Sequence, residues 1–385
     1  MGALGLYLIA GEPSGDKLGA ALMAGLKTLA PEVSFAGVGG PLMAAEGLSS
    51  LFPMQELSIM GLVEILPRYF HLQRRIAQTA RAVLDSGAEA LVSIDSPDFC
   101  LRVAARVKAV RPEFRVIHYV APSVWAWRPG RAARMARVVD HVLALLPFEP
   151  PHMTAAGMSC DFVGHPVVAE PLATAGERAA WAGSGPLILA LPGSRRSEVD
   201  RMAPLFGAVL GRVQAAHPGL RVALPVVPHL AERVRALVAD WPVAPRIVET
   251  PAEKRGAFAA ADVALAASGT VSLELAANAC PMVIAYDMNW LTFRLMRRAA
   301  LIDTVTLVNL VSETRTVPEF LGPDARADRI APALEQVLAD SAAQRAAMAL
   351  TMQRLGQGGE PPGLRAARSV LAHLREARRD DPATG

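Results

Sequence analysis

Leu4-Gly5-Leu6-Tyr7-Leu8-Ile9-Ala10-Gly11-Glu12-Pro13-Ser14-Gly15-Asp16 opens the chain with an apolar run, a turn of small residues and then an Ala/Leu-rich stretch. Half a chain later the pattern returns, with Leu187-Ile188-Leu189-Ala190-Leu191 running into Pro192-Gly193-Ser194-Arg195-Arg196-Ser197-Glu198. Each copy reads as strand, tight turn and helix N-terminus, the arrangement in which backbone N–H groups and the helix dipole converge on an anion. Two copies predict two nucleotide-type α/β domains facing each other across a central cleft.

Length and composition accommodate that reading. The 385 residues, 52% of them hydrophobic, exceed what a single core usually organises. The net charge of +3 is close to neutral, yet it comes from 35 Arg and only 4 Lys, so arginine clusters here partly reflect composition. Cys100, Cys160 and Cys280 are scattered without metal-ligand spacing, as in a reduced cytoplasmic protein. The N-terminus lacks a basic n-region and its apolar run is broken by Gly11-Glu12-Pro13, so neither a signal peptide nor an anchor is expected. The longest charge-free stretches, such as Ala182 to Ser194, fall short of the ~18 apolar residues a spanning helix needs, leaving only peripheral contact with lipid.

Working outward, apolar β-branched runs alternate with amphipathic segments, the signature of βαβ units and a parallel sheet. Strands are predicted at Leu4 to Ala10, Val33 to Gly37, Ala90 to Ile94, Arg115 to Val120, His141 to Leu145 and Cys160 to Val163. A second series covers Leu187 to Leu191, Arg221 to Pro225, Arg246 to Val248, Val263 to Ala266, Met282 to Ala285 and Val305 to Leu307. Gly164-His165-Pro166 closes the first series, and the hinge is expected between there and the polar stretch Ala173 to Gly185. Arg329 to Arg379 reads as helical, interrupted by a Gly/Pro-rich turn at Gly356 to Gly363, and Asp380 to Gly385 as a disordered tail.

In the second half, the loop Pro192 to Ser197 sets two arginines and two hydroxyls at a helix start, and Ala267-Ser268-Gly269-Thr270-Val271-Ser272-Leu273-Glu274 repeats the geometry. Together these loops suit a diphosphate, with Ser194, Ser268, Gly269 and Thr270 lining it, Arg195 as its charged partner and Glu274 on sugar hydroxyls. Either loop alone is equally an N-capped turn.

In the first half, Ile94-Asp95-Ser96-Pro97-Asp98-Phe99 places two carboxylates at the carboxyl end of a strand, where open α/β sheets bind ligands. Asp95 there is a candidate general base, against the alternative of a turn residue followed by Asp98 as helix cap. A metal pair is disfavoured, since no His or third carboxylate lies nearby in sequence. His118 to Arg128 holds Trp125 and Trp127 on a strand-end loop fit to line a sugar or acyl pocket or to plug a core, and Arg128, Arg131, Arg134 and Arg137 follow at a spacing of three. His118 and His165 read as structural. Ser58 to Ile76 carries a wide apolar face, with Ile59, Leu62, Val63, Leu66 and Phe70 in one row, bordered by Arg68, Arg74 and Arg75. That pattern fits a lipid interface or an enclosed acyl chain, and equally a helix buried on both sides. Asn289 to Ile302 repeats the basic and apolar mixture.

Taken with Gly37-Val38-Gly39-Gly40-Pro41, Ile59-Met60-Gly61-Leu62-Val63-Glu64, the Trp125 block, Leu146-Pro147-Phe148-Glu149, Leu191-Pro192-Gly193-Ser194-Arg195 and Cys280-Pro281-Met282-Val283, these motifs closely resemble the bacterial lipid A disaccharide synthase family from the first strand to about Leu310. Pro13 and Arg196 depart from its usual pattern.

The resemblance implies a GT-B fold, two Rossmann-like parallel-sheet domains, and an inverting transferase that needs no metal and no cofactor. Its donor would be UDP-2,3-diacylglucosamine and its acceptor 2,3-diacylglucosamine 1-phosphate, at the inner face of the inner membrane, with no nucleic acid partner and a homodimer allowed. Residue by residue, Asp95 matches the family's base, Arg195 and Asn309 match nucleotide-site residues, and Ser14 and Asp16 match the first-domain loop near the transferred sugar. The expected division is 1–168 for acceptor and lipid, 169–345 for the UDP-sugar, and 346–385 as helices returning to the first domain. Competing readings are a UDP-N-acetylglucosamine 2-epimerase, a GT-B transferase with a soluble acceptor, and a two-lobed solute-binding protein.

Overall fold

The computed structural model describes residues 4–57, 62–267 and 269–379, with side chains at 62–69, 290–292 and 377–379 left aside. Ile59, Ser268 and the tail 380–385 lie outside the described residues, as do the side chains of Leu62, Val63, Leu66 and Arg68.

The first sheet contains β1 (Gly5–Ala10), β2 (Ser34–Val38), β3 (Ala90–Ile94), β4 (Arg115–Tyr119), β5 (His141–Ala144) and β6 (Ser159–Phe162). These strands are parallel throughout, in the order β2-β1-β3-β4-β5-β6. The second holds β7 (Leu187–Leu191), β8 (Arg221–Pro225), β9 (Arg246–Val248), β10 (Val263–Ala266), β11 (Met282–Tyr286) and β12 (Glu319–Leu321). Its order is β12-β11-β10-β7-β8-β9, again parallel.

The continuous apolar runs have a direct cause. Helices cover both faces of a parallel sheet, so successive side chains of one strand enter different cores. In β1, Leu6, Leu8 and Ala10 join one cluster with Leu22, Leu26 and Ile117, while Tyr7 and Ile9 join the other with Leu91, Val103 and Val116. In the second sheet Ile188, Ala190, Val222, Leu224 and Val263 pack with Phe206 and Leu210 of the helix Arg196–Ala216.

One expected strand is absent. Val305 and Thr306 donate their N–H groups to the Glu319 carboxylate at 2.7 to 3.2 Å, and Leu307 begins the helix Leu307–Ser312. With those donors occupied by a side chain, no ladder forms there, and the edge position beside β11 goes to Glu319–Leu321. The arginine stripe also breaks up. Only Arg131 and Arg134 lie in the helix Gly130–Met135, whereas Arg128 takes a left-handed φ of 51°.

By internal contacts the chain forms two units, Met1–Pro166 with Gly358–Gly385, and Val167–Gln357. The helix Ala342–Arg354 stays with the second unit. The last helix, Pro362–Arg379, belongs to the first, where Ala366, Ala367, Val370 and Leu374 share a core with Leu18, Leu22 and Leu26 of the helix Pro13–Leu29. Polar bonds fasten it further: His141 Nε2 lies 2.8 Å from Ser369 Oγ, which donates to Asp161 Oδ2 at 2.7 Å. Among the described residues no helix is long and apolar enough to cross a membrane.

Candidate active site

Strand order locates the site in each unit. In the first sheet the chain leaves β1 for β2 on one side and returns to β3 on the other, so a crevice opens at the carboxyl ends of β1 and β3. Such a reversal is where open α/β sheets take ligands. Asp95 follows β3 there, half-buried, and Ser14, in the first turn of the helix Pro13–Leu29 after β1, donates to its Oδ2 across 3.4 Å.

The backbone is bent to achieve this. Asp95 and Ser96 have φ of 52° and 42°, and Val120 after β4 has φ of 86°, an unfavourable conformation for a β-branched residue. Backbone bonds from Asp95 N to Tyr119 O and from Val120 N to Leu143 O, at 2.9 and 3.0 Å, hold these turns. Gly11 permits the approach of the β1 loop, because a Cβ on it would meet Ser96 Oγ at 2.5 Å. Asp98, exposed, sits in the first turn of the helix Pro97–Val110.

Asp16, expected near the transferred sugar, is engaged within the protein. It is 2% exposed, and its carboxylate accepts from the N–H groups of Gly40, Leu42 and Met43 at 2.9 to 3.0 Å. Both oxygens therefore cap the short helix Pro41–Ala45, whose first N–H groups have no partner within it.

In the second sheet the reversal lies between β7 and β10, and both anion loops emerge at it. Arg195 is the N-cap residue of the helix Arg196–Ala216, its side chain 64% exposed. Glu198 folds back onto the same turn: Oε2 accepts from Ser194 N and Arg195 N at 3.2 and 3.3 Å, and Oε1 lies 3.4 Å from Arg195 Nη1. An internal carboxylate thus holds two of the backbone donors of this loop. Across the crevice Gly269 has φ of 139° with open space where a Cβ would stand, and Thr270 is exposed. Glu274 pairs with Lys254 at 2.6 Å.

Asn309 lies on the short helix Leu307–Ser312. It is 1% exposed, its Nδ2 donates to Thr304 Oγ1 and Val317 O, and its Oδ1 accepts from Val317 N. Both Nδ2 hydrogens and one acceptor position of Oδ1 thus brace the 304–317 segment.

Sequence reasoning missed several partners. Arg201, one helical turn beyond Ser197, faces Asp287 at 3.6 Å, and both line a recess of about 240 Å³ together with Glu198 and Tyr286. Burial raises the Tyr286 phenol, with the Glu198 charge adding and the Arg195 and Arg201 charges opposing. In the first unit Glu149, only 4% exposed, accepts from Trp125 Nε1 at 3.3 Å and from Leu145 N and Leu146 N at 3.0 and 2.9 Å. Trp127 is more exposed and lies under the Arg128 guanidinium, 4.2 Å from its ring centre.

His118 is buried, 2.8 Å from Ser93 Oγ, and burial lowers it to about 4, consistent with a structural, neutral imidazole. On the long helix Leu62–Asp85, Phe70 is 84% exposed and Arg74 is exposed, while Arg75 is tied to Glu56 at 2.7 Å and stacks on Phe52.

Residues 6–368 match the family model described as lipid-A-disaccharide synthetase. A lipid-A-disaccharide synthase of Ruegeria pomeroyi is 63% identical over 382 residues, covering 96% of this chain and 95% of that one. Among solved structures, a UDP-N-acetylglucosamine 2-epimerase from Rickettsia bellii aligns with a TM-score of 0.63 at 11% identity over 98% of this chain and 99% of its own. A calicheamicin glycosyltransferase aligns with a TM-score of 0.59 at 16% identity, covering 97% of this chain and 99% of that one. At such identities the structures establish the GT-B architecture alone, whereas the family match and the close relative, each spanning nearly the whole chain, establish ancestry: this chain belongs to the lipid-A-disaccharide synthetase family.

Proposed function

We propose that this chain joins UDP-2,3-diacylglucosamine to 2,3-diacylglucosamine 1-phosphate, forming a β-1,6 bond and releasing UDP. The acceptor hydroxyl attacks the anomeric carbon, its proton passes to Asp95, and the bond from that carbon to the UDP oxygen breaks. The observation that carries this reading is Asp95, held in a left-handed turn at the β1/β3 reversal beside Ser14. An uncharged hydroxyl needs a base within reach, and a departing diphosphate needs fixed positive groups. Ser194, Arg195, Gly269 and Thr270, at the β7/β10 reversal, supply the latter, with Glu274 on sugar hydroxyls. The test is direct: incubate the purified protein with both acylated substrates and look for disaccharide and UDP. Release of UDP with epimerised sugar and no disaccharide would favour the 2-epimerase reading.

Arg195→Ala is expected to weaken UDP binding and slow transfer together, by roughly tenfold to a hundredfold in kcat/KM, as loss of one charge-assisted hydrogen bond does. EDTA should leave turnover unchanged. Isothermal titration with UDP and a steady-state assay would read both effects, and an unaltered UDP affinity would remove Arg195 from the site.

The acylated substrates also call for a sheltered, lipid-facing surface. We assign it to Ile59, Leu62, Val63, Leu66 and Phe70, with Arg68, Arg74 and Arg75 near the headgroups and the protein working at the inner face of the inner membrane. Leu62→Ser with Leu66→Ser is expected to weaken binding to phosphatidylglycerol vesicles and raise KM for both substrates without altering UDP affinity. Wild-type binding should fall with added salt, as screened charges require. A double variant that unfolds, alongside a parent that ignores vesicles, would make the segment core.

A further inference from the structure

We infer that Glu149 is a positioning residue for the acceptor sugar, acting by anchoring Trp125 at the carboxyl edge of the first sheet. This rests on the assignment of the acceptor to the first unit.

Four observations converge. The Glu149 side chain lies between the loops that follow β4 and β5, with Oε1 on the Trp125 indole N–H and Oε2 on the N–H groups of Leu145 and Leu146. Each of these bonds is accepted from an N–H donor, and among the described residues no Lys or Arg pairs with it, so this is a buried carboxylate satisfied without a cation. Phe148 packs edge-on against the Trp125 ring at 5.0 Å between centroids and 81° between planes, which fixes the ring from a second side. Finally, the loop that Trp125 occupies follows β4, the strand next to β3 and so to Asp95, and Val120 at its root is held in its left-handed turn by Leu143 O of β5.

The chemistry of the group at issue fits a sugar. A half-buried indole with its N–H anchored leaves part of its ring accessible, and such a rigid apolar plate suits the C–H face of a pyranose. A buried carboxylate without a cation is costly. Such a group is retained where it fixes something, and here it links the loop after β4 to the loop after β5.

Protonation offers an independent readout. Burial raises the Glu149 carboxyl to about 7, against the lowering effect of its bonds with Leu146, Trp125 and Leu145. The ionisable neighbour that senses it is Cys160 on β6, whose thiol is raised by burial and then by the charges of Glu149 and Asp161. As pH falls through about 7 the carboxylate gains a proton and its hold on the indole weakens.

The test is a double-mutant cycle with Glu149→Gln and Trp125→Phe, the full chain assayed with both acylated substrates. Glutamine can keep the backbone bonds but turns an amide donor toward the indole, and phenylalanine keeps a ring without the N–H. Each single variant is expected to raise the acceptor KM about tenfold, with donor KM and UDP affinity unchanged. The double variant should be no worse than either single one, because both remove the same bond. In addition, the acceptor KM of the parent should rise on lowering the pH through about 7 more steeply than that of Glu149→Gln, whose own profile reports the acceptor phosphate. Multiplying effects in the cycle, or identical pH profiles, overturn the inference, and an unchanged acceptor KM in Trp125→Phe overturns it even where Glu149→Gln is poorly folded. Coupling that appears on the donor KM instead overturns it together with the acceptor assignment, whereas additive effects overturn it and leave that assignment standing.

Discussion

Asp95→Asn is expected to lower turnover by about 10² to 10⁴ while UDP binding stays at the parental level. Asparagine has nearly the same shape and still accepts from Ser14 Oγ, so the turn at the end of β3 is preserved and what disappears is the capacity to take the acceptor proton. The left-handed φ at residue 95 favours this substitution too, since Asn tolerates that region better than most residues. Single-turnover assays with both acylated substrates, beside a UDP titration, separate chemistry from binding. Turnover near that of the parent would sink the role of Asp95 as base. Asp98→Asn serves as the control, and because Asp98 is exposed in the first turn of its helix its loss should cost a small fraction of the activity.

Asp16→Ala is expected to destabilise the first unit by about 3 kcal/mol, because it strands three N–H groups that the carboxylate accepts, two of those bonds being buried. For a unit of this size that corresponds to a fall in Tm of roughly 6 to 12 °C. Asp16→Asn should lose less, since one amide oxygen still accepts. Thermal unfolding followed by circular dichroism checks both variants. If Asp16→Asn kept the parental Tm but lost turnover, the side chain would belong to substrate binding after all and its capping role would be secondary.

Under the proposed function, the two loops would meet the donor differently. The loop after β10 leaves open space above Gly269, whereas the loop after β7 has its donors satisfied by Glu198. Exchange of one carboxylate for another anion keeps the helix N-terminus satisfied in both states, so the displacement costs less than baring those N–H groups would.

Much of the architecture is legible in the order of the residues. β3, β7, β8, β9 and β10 run over the spans expected from the sequence; β3, β7 and β10 are legible because a strand buried on both faces is a nearly continuous apolar run. The turns after β1, β7 and β10 are legible for the same local reason. By contrast, Val305 to Leu307 looks like a strand in isolation and Glu319–Leu321 does not. The choice fell to the Glu319 carboxylate, which takes the N–H groups that a ladder at 305 and 306 would need.

Strand order, too, came only with the fold, and with it the two reversals that bring Ser14 to Asp95 and set the two anion loops side by side in their own sheet. The buried polar residues show the division most plainly. Asp16, Glu149 and Asn309 are ordinary in sequence, and each became a cap, an anchor or a brace through donors and acceptors up to 27, 24 and 8 residues away, respectively. Hydrophobic burial is written in local periodicity, so sequence alone determined where the strands and turns lie. A buried carboxylate or amide takes its role from whichever N–H and C=O groups the tertiary structure brings to it, and that was decided by packing alone.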